Sequence, residues 1–320
     1  MVLSTNERKI LVTGATGFIG SALLTKLSRE NVVVFGRSKP YDCDSDNFHK
    51  GNISPATDFH CALKNVSTVI HCAGRAHILD ELSSDPLSDY RSINTYGTLN
   101  LAKQASKFGV ERFIFISSSR VNGESTPSHI SFTPDDEFSP NDPFSISKKE
   151  AELGLMKISR ETGMEIVIIR PPLVYGPGVK ANFLSMLKLV NTGFPLPVGA
   201  VVRNKRSLVY IENLVDLILI CIKHPNAKNQ IFLVSDDDDI STFTLLSDIA
   251  NTLEVPKRFI YIPVPWLRFV LKLIGKSNIA IHLCSSLELD ISKTKSLLDW
   301  NPPYSRIEGL KKTVDQFIRN

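Results

Sequence analysis

Long hydrophobic runs are missing from this sequence. None approaches the roughly 20 apolar residues that a bilayer-crossing helix needs, so a transmembrane segment is not expected. Mean hydropathy is near zero, as in soluble globular chains. Cysteine is sparse: Cys43, Cys61, Cys72, Cys221 and Cys284, with no C-x-x-C spacing. The opening stretch, MVLSTNERK, is polar and lacks the apolar core of a signal peptide. An odd number of cysteines without such a signal argues for reduced thiols, and a cytoplasmic location is expected. The seven histidines are scattered without ligand spacing. His71 and His77 are read as non-metal residues, and no metal is expected. A net charge of +4 comes from interspersed lysines and arginines, not from a basic stripe. That pattern speaks against a nucleic-acid partner and suits small anionic substrates. Internal repeats and low-complexity linkers are also lacking.

What is present begins at Lys9. The stretch KILVTGATGFIGSALL, to Leu24, joins a fully apolar run (Ile10, Leu11, Val12) to three glycines (Gly14, Gly17, Gly20). An apolar helix pattern follows at Phe18, Ile19, Ala22 and Leu23. Strand, glycine turn and helix start come in the order that a dinucleotide site requires. Glycines permit the tight turn, the approach of backbone to pyrophosphate, and close packing of helix on strand. The helix start offers N–H groups and a positive dipole end to phosphates.

Strands alternate with helices through the first half, which predicts a parallel sheet with crossover helices. Val32 to Phe35 reads as the second strand, Val66 to Cys72 as the fourth, Arg112 to Ser117 as the fifth and Glu165 to Arg170 as the sixth. After the second strand comes Arg37, with no acid for a ribose 2′-hydroxyl. That favours the 2′-phosphate of NADP, the alternative being an arginine in solvent. Tyr90 to Lys107 has helical periodicity. The acidic run Asp236 to Asp239 is read as a solvated loop. Trp266 to Ile274 is apolar with basic interruptions; it is expected to pack on the second lobe, with a membrane-surface helix as the alternative.

The landmarks GATGFIG, HCAG (His71 to Gly74), INTYGT (with Asn94), SSSRVNG, PFSISKKEAE, RPPLVYGPG, RSLVYIENLVD and the tail from Leu289 run the length of the chain. Together they resemble the extended branch of the short-chain dehydrogenases/reductases, the NAD-dependent epimerase/dehydratase family. The likeness is greatest to bacterial nucleotide-sugar 4-epimerases and to reductases of UDP-4-keto-6-deoxy sugars in O-antigen or capsule synthesis. It implies an α/β fold: a Rossmann-type, doubly wound parallel sheet over 1–175, with a return segment at about 206–232. A smaller α/β lobe over 176–205 and 233–320 would bind the nucleotide sugar.

By that resemblance the cofactor, NADP or NAD, faces Gly14, Gly17, Phe18, Ile19 and Gly20. It also faces Arg37, Asn52 and Ile53 of GNI, the strand end Cys72, Ala73 and Gly74, then Asn94, Lys148 and Pro171. The substrate, a UDP-sugar, faces Arg75, Ser118, Ser119, Asn182 and Arg206; an arginine fork suits a pyrophosphate. His77 lies where some relatives hold substrate-facing residues. A homodimer is expected through the helix at 90–107 and the helix from Phe144, with Leu153, Leu155, Met156 and Ile158 shared between core and interface.

The family chemistry exchanges a hydride between nicotinamide and a sugar carbon while a tyrosine moves the hydroxyl proton. A lysine four residues on lowers the pKa of that tyrosine, and a serine binds the sugar oxygen. Ser118 matches the serine, with Ser119 a poorer candidate, and Lys148 matches the lysine. The tyrosine position departs from the pattern: PFSISK has Phe144, which has no proton to give or take. Three readings follow: an engineered substitution, a natural replacement in which another group or water moves the proton, or a sensor or scaffold that binds without turnover. Ser119 and Arg120 follow Ser118 where sugar 4,6-dehydratases hold an acid pair, which disfavours dehydration.

Overall fold

The apolar runs of the first half become adjacent strands. In the computed structural model, residues 9–41, 43–76, 83–127 and 130–319 are described. His77 and the polar first eight residues lie outside them. The strands are β1 (Lys9–Thr13), β2 (Val32–Gly36), β3 (Phe48–Lys50), β4 (Val66–His71), β5 (Arg112–Ile116), β6 (Glu165–Arg170), β7 (Leu173–Tyr175), β8 (Leu208–Tyr210) and β9 (Gln230–Leu233). The helices are α1 (Phe18–Leu24), α2 (Pro86–Tyr90), α3 (Thr98–Lys107), α4 (Pro143–Thr162), α5 (Ala181–Asn191), α6 (Ile211–Lys223), α7 (Thr242–Thr252), α8 (Val264–Leu273), α9 (Ser277–Cys284), α10 (Ser292–Leu298) and α11 (Arg306–Arg319).

Seven strands form one sheet in the order β3-β2-β1-β4-β5-β6-β9. The pairings of β1 with β2 and β4, β2 with β3, β4 with β5 and β5 with β6 are parallel. This is the Rossmann order, in which the chain reverses direction beside β1 and a crevice opens at the carboxyl ends of β1 and β4. The central strands are mostly apolar and buried, and every residue of β5 is buried. On one face Leu11, Val69, Phe113 and Ile166 pack with Leu101 and Ala105 of α3 and Leu155 of α4.

Helix α4 carries clear local signals. Asp142 caps it, accepting from the backbone N–H of Phe144 at 3.0 Å and of Ser145 at 3.2 Å. Pro143 opens the first turn, where its missing N–H costs nothing, and Gly163 ends the helix in the left-handed conformation. Of the apolar residues expected to serve both core and interface, Leu155 and Ile158 are buried and Met156 packs against the core; only Leu153 is exposed. The helical stretch from Tyr90 is not uniform: Arg91–Gly97 is wound as a π-helix between α2 and α3.

The chain divides into two compact units, 1–121 with 138–170 and 215–232, and 122–137 with 171–214 and 233–320. Residues 122–137, 171–175 and 206–214 thus group with the second unit, where the sequence motifs alone assign them to the first. In the second unit β7 and β8 pair in parallel. The ring of Tyr175 stacks on Phe183 at 5.2 Å between centroids, and Tyr210 meets Tyr175 at 5.7 Å.

Two sequence expectations hold only in part in this unit. The run Asp236 to Asp239 is a loop, but only Asp237 and Asp238 are exposed. Asp236 is buried and accepts from the Tyr175 hydroxyl, the Tyr210 backbone N–H and the Asn213 amide, each at 2.7 Å. Asp238 pairs with Arg306 at 2.8 Å, and Asp239 accepts from Ser207 at 2.5 Å. Those partners lie too far along the chain for charge patterning to find. The stretch from Trp266 to Ile274 does pack against α9 of this unit, but by one edge: in α8 only Leu267 is buried.

Candidate active site

The glycine turn is built by contact, not by flexibility alone. Gly14 ends β1 with φ +70°, and a Cβ there would sit 2.5 Å from the Ala73 nitrogen. Any side chain would push the turn off the end of β4. Gly20 in α1 lies against the carbonyl of Gly14, which a Cβ would meet at 2.3 Å. Gly17 is the N-cap of α1, no side chain caps it, and its first turn carries no acid. Among the described residues no side chain accepts from the N–H groups of Phe18 and Ile19, as an anion site requires.

Beside the turn, His71 is held between two hydroxyls: Nδ1 lies 2.6 Å from Thr13 Oγ1 and Nε2 lies 2.9 Å from Thr98 Oγ1. Burial pushes its pKa down to about 3, aided by the Lys148 charge. It is a neutral structural ring, and no metal-binding cluster occurs among the described residues. Burial likewise pushes the Cys72 thiol up to about 12, against the pull of Lys148, so it stays protonated.

Lys148 brings a buried amine to this strand end. Its Nζ donates to the Ile116 carbonyl at 2.9 Å and lies 4.4 Å from the Phe115 ring centre. It stands just beyond Gly74, where a Cβ would come within 3.4 Å of the ammonium. Burial lowers its pKa to about 8, partly offset by Cys72 and by Glu152. Asn94, fully buried, spans the gap between strand and helix. It accepts from the Arg75 backbone N–H at 2.7 Å and donates to the Arg75 carbonyl at 3.1 Å and to Ser147 Oγ at 3.0 Å. The π-turn places this amide at the level of Lys148.

Phe144 opens the same helix face one turn before Lys148. Its ring meets Tyr90 edge-on at 6.2 Å, and the Arg120 guanidinium lies 6.0 Å from its centre. Arg120 pairs with Asp142 at 3.0 Å, and Arg75 lies 5.3 Å from the Tyr90 ring centre. Ser118 is half-buried and accepts from the Arg120 backbone N–H at 3.2 Å, which leaves its proton to donate. Ser119 is buried. Ser117 turns inward and donates to Glu152.

The remaining named residues are placed as follows. Arg37 and Asn52 are exposed beyond β2 and β3. The Ile53 side chain packs on the core, and a Cβ on Gly97 would meet it at 2.7 Å. Pro171 directly follows β6 and belongs to the second unit. In that unit Asn182 is exposed in the first turn of α5. Arg206 donates to the Ser285 carbonyl at 3.2 Å, and no carboxylate pairs with it among the described residues. Burial alone lowers its pKa. Sequence reasoning missed Tyr90, Arg120 and Asp142 around Phe144. The signal for Tyr90 was its position four residues before Asn94, on one helical face.

Residues 10–235 match the family described as NAD dependent epimerase/dehydratase. A UDP-glucose 4-epimerase of Vibrio cholerae is 46% identical over 324 residues, covering 99% of both chains. Among solved structures, the UDP-glucose 4-epimerase of Thermotoga maritima with UDP-glucose has a TM-score of 0.78 at 24% identity, covering 97% of this chain and 99% of that one. The UDP-glucuronic acid 4-epimerase of Bacillus cereus in complex with NAD also has a TM-score of 0.78, at 23% identity, with the same coverage. With the glycine turn, the β4 strand end and the α4 lysine all in position, the chain belongs to the NAD dependent epimerase/dehydratase family.

Proposed function

We propose that this protein binds NAD(P) in its first unit and a UDP-sugar, and that it belongs to 4-epimerisation chemistry at the sugar C4. The observation that carries the reading is the buried Lys148 ammonium just beyond Gly74, one helical turn from Phe144. The near relative named a UDP-glucose 4-epimerase supports the sugar class.

The residues present fit a dinucleotide. Gly14 lets the turn close onto the end of β4, the start of α1 is uncapped, and Lys148 supplies a cation at the strand end. When bound, the nicotinamide supplies reversible hydride uptake at the sugar carbon. The chain's own work is then binding, orientation and proton movement. Asn94 fixes the backbone at Arg75, and Ser118 offers its free proton to the sugar oxygen. Asn182 and Arg206 are proposed for the UDP phosphates; among the described residues Arg206 has no carboxylate to release before it takes an anion. Residue 144 cannot take the hydroxyl proton, so turnover is slow and binding survives. A second reading, a protein that binds without turnover, rests on the same Phe144.

The test is calorimetric titration with NAD, NADP and UDP-glucose. Binding of both ligand classes is expected, with Arg206→Ala weakening the UDP-sugar and Lys148→Ala weakening the cofactor. Failure of the intact chain to bind either would overturn the reading. The same reading assigns a homodimer to the helical stretch 90–107 and α4, where Tyr96 and Leu153 are exposed; a monomer by light scattering at micromolar concentration would refute it. Synthesis of a bacterial surface polysaccharide is the proposed setting.

A further inference from the structure

Helix α8 turns an apolar face outward. Leu273 is 70% exposed and Trp266 64%, and Phe269, Val270 and Ile274 are exposed to 49–59%. At 100° per residue, Phe269, Leu273, Trp266 and Val270 fall within one arc of about 100°. Leu267 and Leu271, the more buried residues, lie on the other side. Arg268 and Lys272 sit along one border of the arc, and Lys276 follows just past the helix end. Tyr261 before the helix and Ile279 after it are also exposed. The Trp266 and Phe269 rings meet edge-on at 6.4 Å, which preforms the patch. Soluble surfaces seldom leave so many large apolar side chains contiguous without a use.

The charge around the patch selects its occupant. From Val255 to Leu287 there is no Asp or Glu, while Lys257, Arg258, Arg268, Lys272 and Lys276 all fall within that span. Elsewhere the two signs are interspersed. A second copy seated on this face by two-fold symmetry would bring Arg268, Lys272 and Lys276 near their own counterparts, with no acid in the segment to neutralise them. A surface of anionic headgroups over acyl chains meets both features at once: it takes the tryptophan, phenylalanine and leucine into the interface and pairs the lysines. Ten residues of helix cannot cross a bilayer, and no helix among the described residues is long and apolar enough to do so. Arg268 is anchored by a hydrogen bond to the Cys284 carbonyl at 3.2 Å, which ties α8 to the end of α9. The lysines remain free to rise toward headgroups along their apolar stems.

We propose that α8 is an interfacial helix that seats this protein reversibly on an anionic lipid surface. It lies in the headgroup plane with Trp266, Phe269 and Leu273 inserted and with Lys272 and Lys276 at the phosphates.

The experiment is flotation of the full-length protein with vesicles of pure phosphatidylcholine or of phosphatidylcholine with phosphatidylglycerol, at low and high salt. Binding is expected on the anionic vesicles only, falling with salt as headgroup attraction is screened. Lys272→Glu with Lys276→Glu should cut it about tenfold or more, and Trp266→Ser with Leu273→Ser should abolish it. All four positions are exposed, so melting temperature and cofactor binding should be unchanged. Tryptophan emission should shift to the blue on anionic vesicles, and Trp266→Phe should remove the shift. Absence of binding to anionic vesicles would overturn the proposal. So would binding that ignores both double variants, or a light-scattering mass that halves in Leu273→Ser, which would assign the patch to a second copy.

Discussion

Arg170 and Glu152 face each other inside the first unit, with Nη2 and Oε2 2.7 Å apart and each side chain only 1% exposed. Arg170 Nε donates to both carboxylate oxygens, and Ser117 donates to the same carboxylate. Charges so deeply buried are tolerated only when paired. The pair fastens the end of β6 to α4 one turn beyond Lys148, and Glu152 is one of the groups that hold the lysine's proton on.

Removing one partner should therefore cost more than removing both. Arg170→Ala is expected to destabilise the fold by about 3–5 kcal/mol, by leaving Glu152 buried and unpaired. Arg170→Met with Glu152→Leu should recover most of that. Urea denaturation of the two variants checks it. A loss with the double variant as large as with the single one would contradict it.

Acidification gives a second check. The unfolded chain protonates His71 near 6.5, whereas burial holds the folded pKa near 3. Between those values the unfolded chain binds a proton that the folded chain refuses, so stability rises with pH across that window. The contribution is at most about 1.4 kcal/mol per pH unit. His71→Gln should be less stable at pH 7, with unsatisfied threonines, yet should lose less on going to pH 5. Equal slopes for wild type and variant would remove His71 from the acid response.

Much of this was legible along the chain. Strand β6 falls where the run Glu165 to Arg170 placed it, whereas the sequence reading began α4 at Phe144 and passed over the local end signals Asp142, Pro143 and Gly163. The glycine turn was legible because its constraint lies within a few bonds. The acidic run was not. Its partners Tyr175, Tyr210 and Arg306 are reached only through the fold, so charge patterning described the residues without their neighbours. The surroundings of Phe144 were hidden likewise, since Tyr90 and Arg120 come to it from other elements. The exposure of α8 is a tertiary fact; periodicity shows an apolar face but not what covers it.

Cofactor preference is open to a direct comparison. Arg37 stands exposed after β2 with no acid beside it to bind a ribose 2′-hydroxyl. NADP is expected to bind at least as well as NAD, because one charge-assisted phosphate contact is worth about 1.5–3 kcal/mol, or roughly 10- to 100-fold. Arg37→Ala should erase most of that preference. An NAD affinity clearly above that of NADP would refute the assignment.

Asn94 carries a prediction of its own. Asn94→Leu should loosen the segment around Arg75 and misplace the helix at Ser147, since it strands both Arg75 backbone groups. Cofactor affinity should fall about tenfold or more, the cost of about one to two buried hydrogen bonds. Unchanged affinity by titration would mean that the amide serves only the core.

The proton assigned to residue 144 is the centre of the account. Phe144→Tyr puts a hydroxyl one turn before Lys148, whose charge should lower its pKa. Interconversion of UDP-glucose and UDP-galactose should be followed by product analysis in both proteins, with NAD(P) supplied. The account predicts that the tyrosine variant turns over about 10²–10⁴-fold faster than the phenylalanine protein, and that Ser118→Ala in that background slows it again. Full turnover by the phenylalanine protein, with nothing gained from the tyrosine, would contradict it.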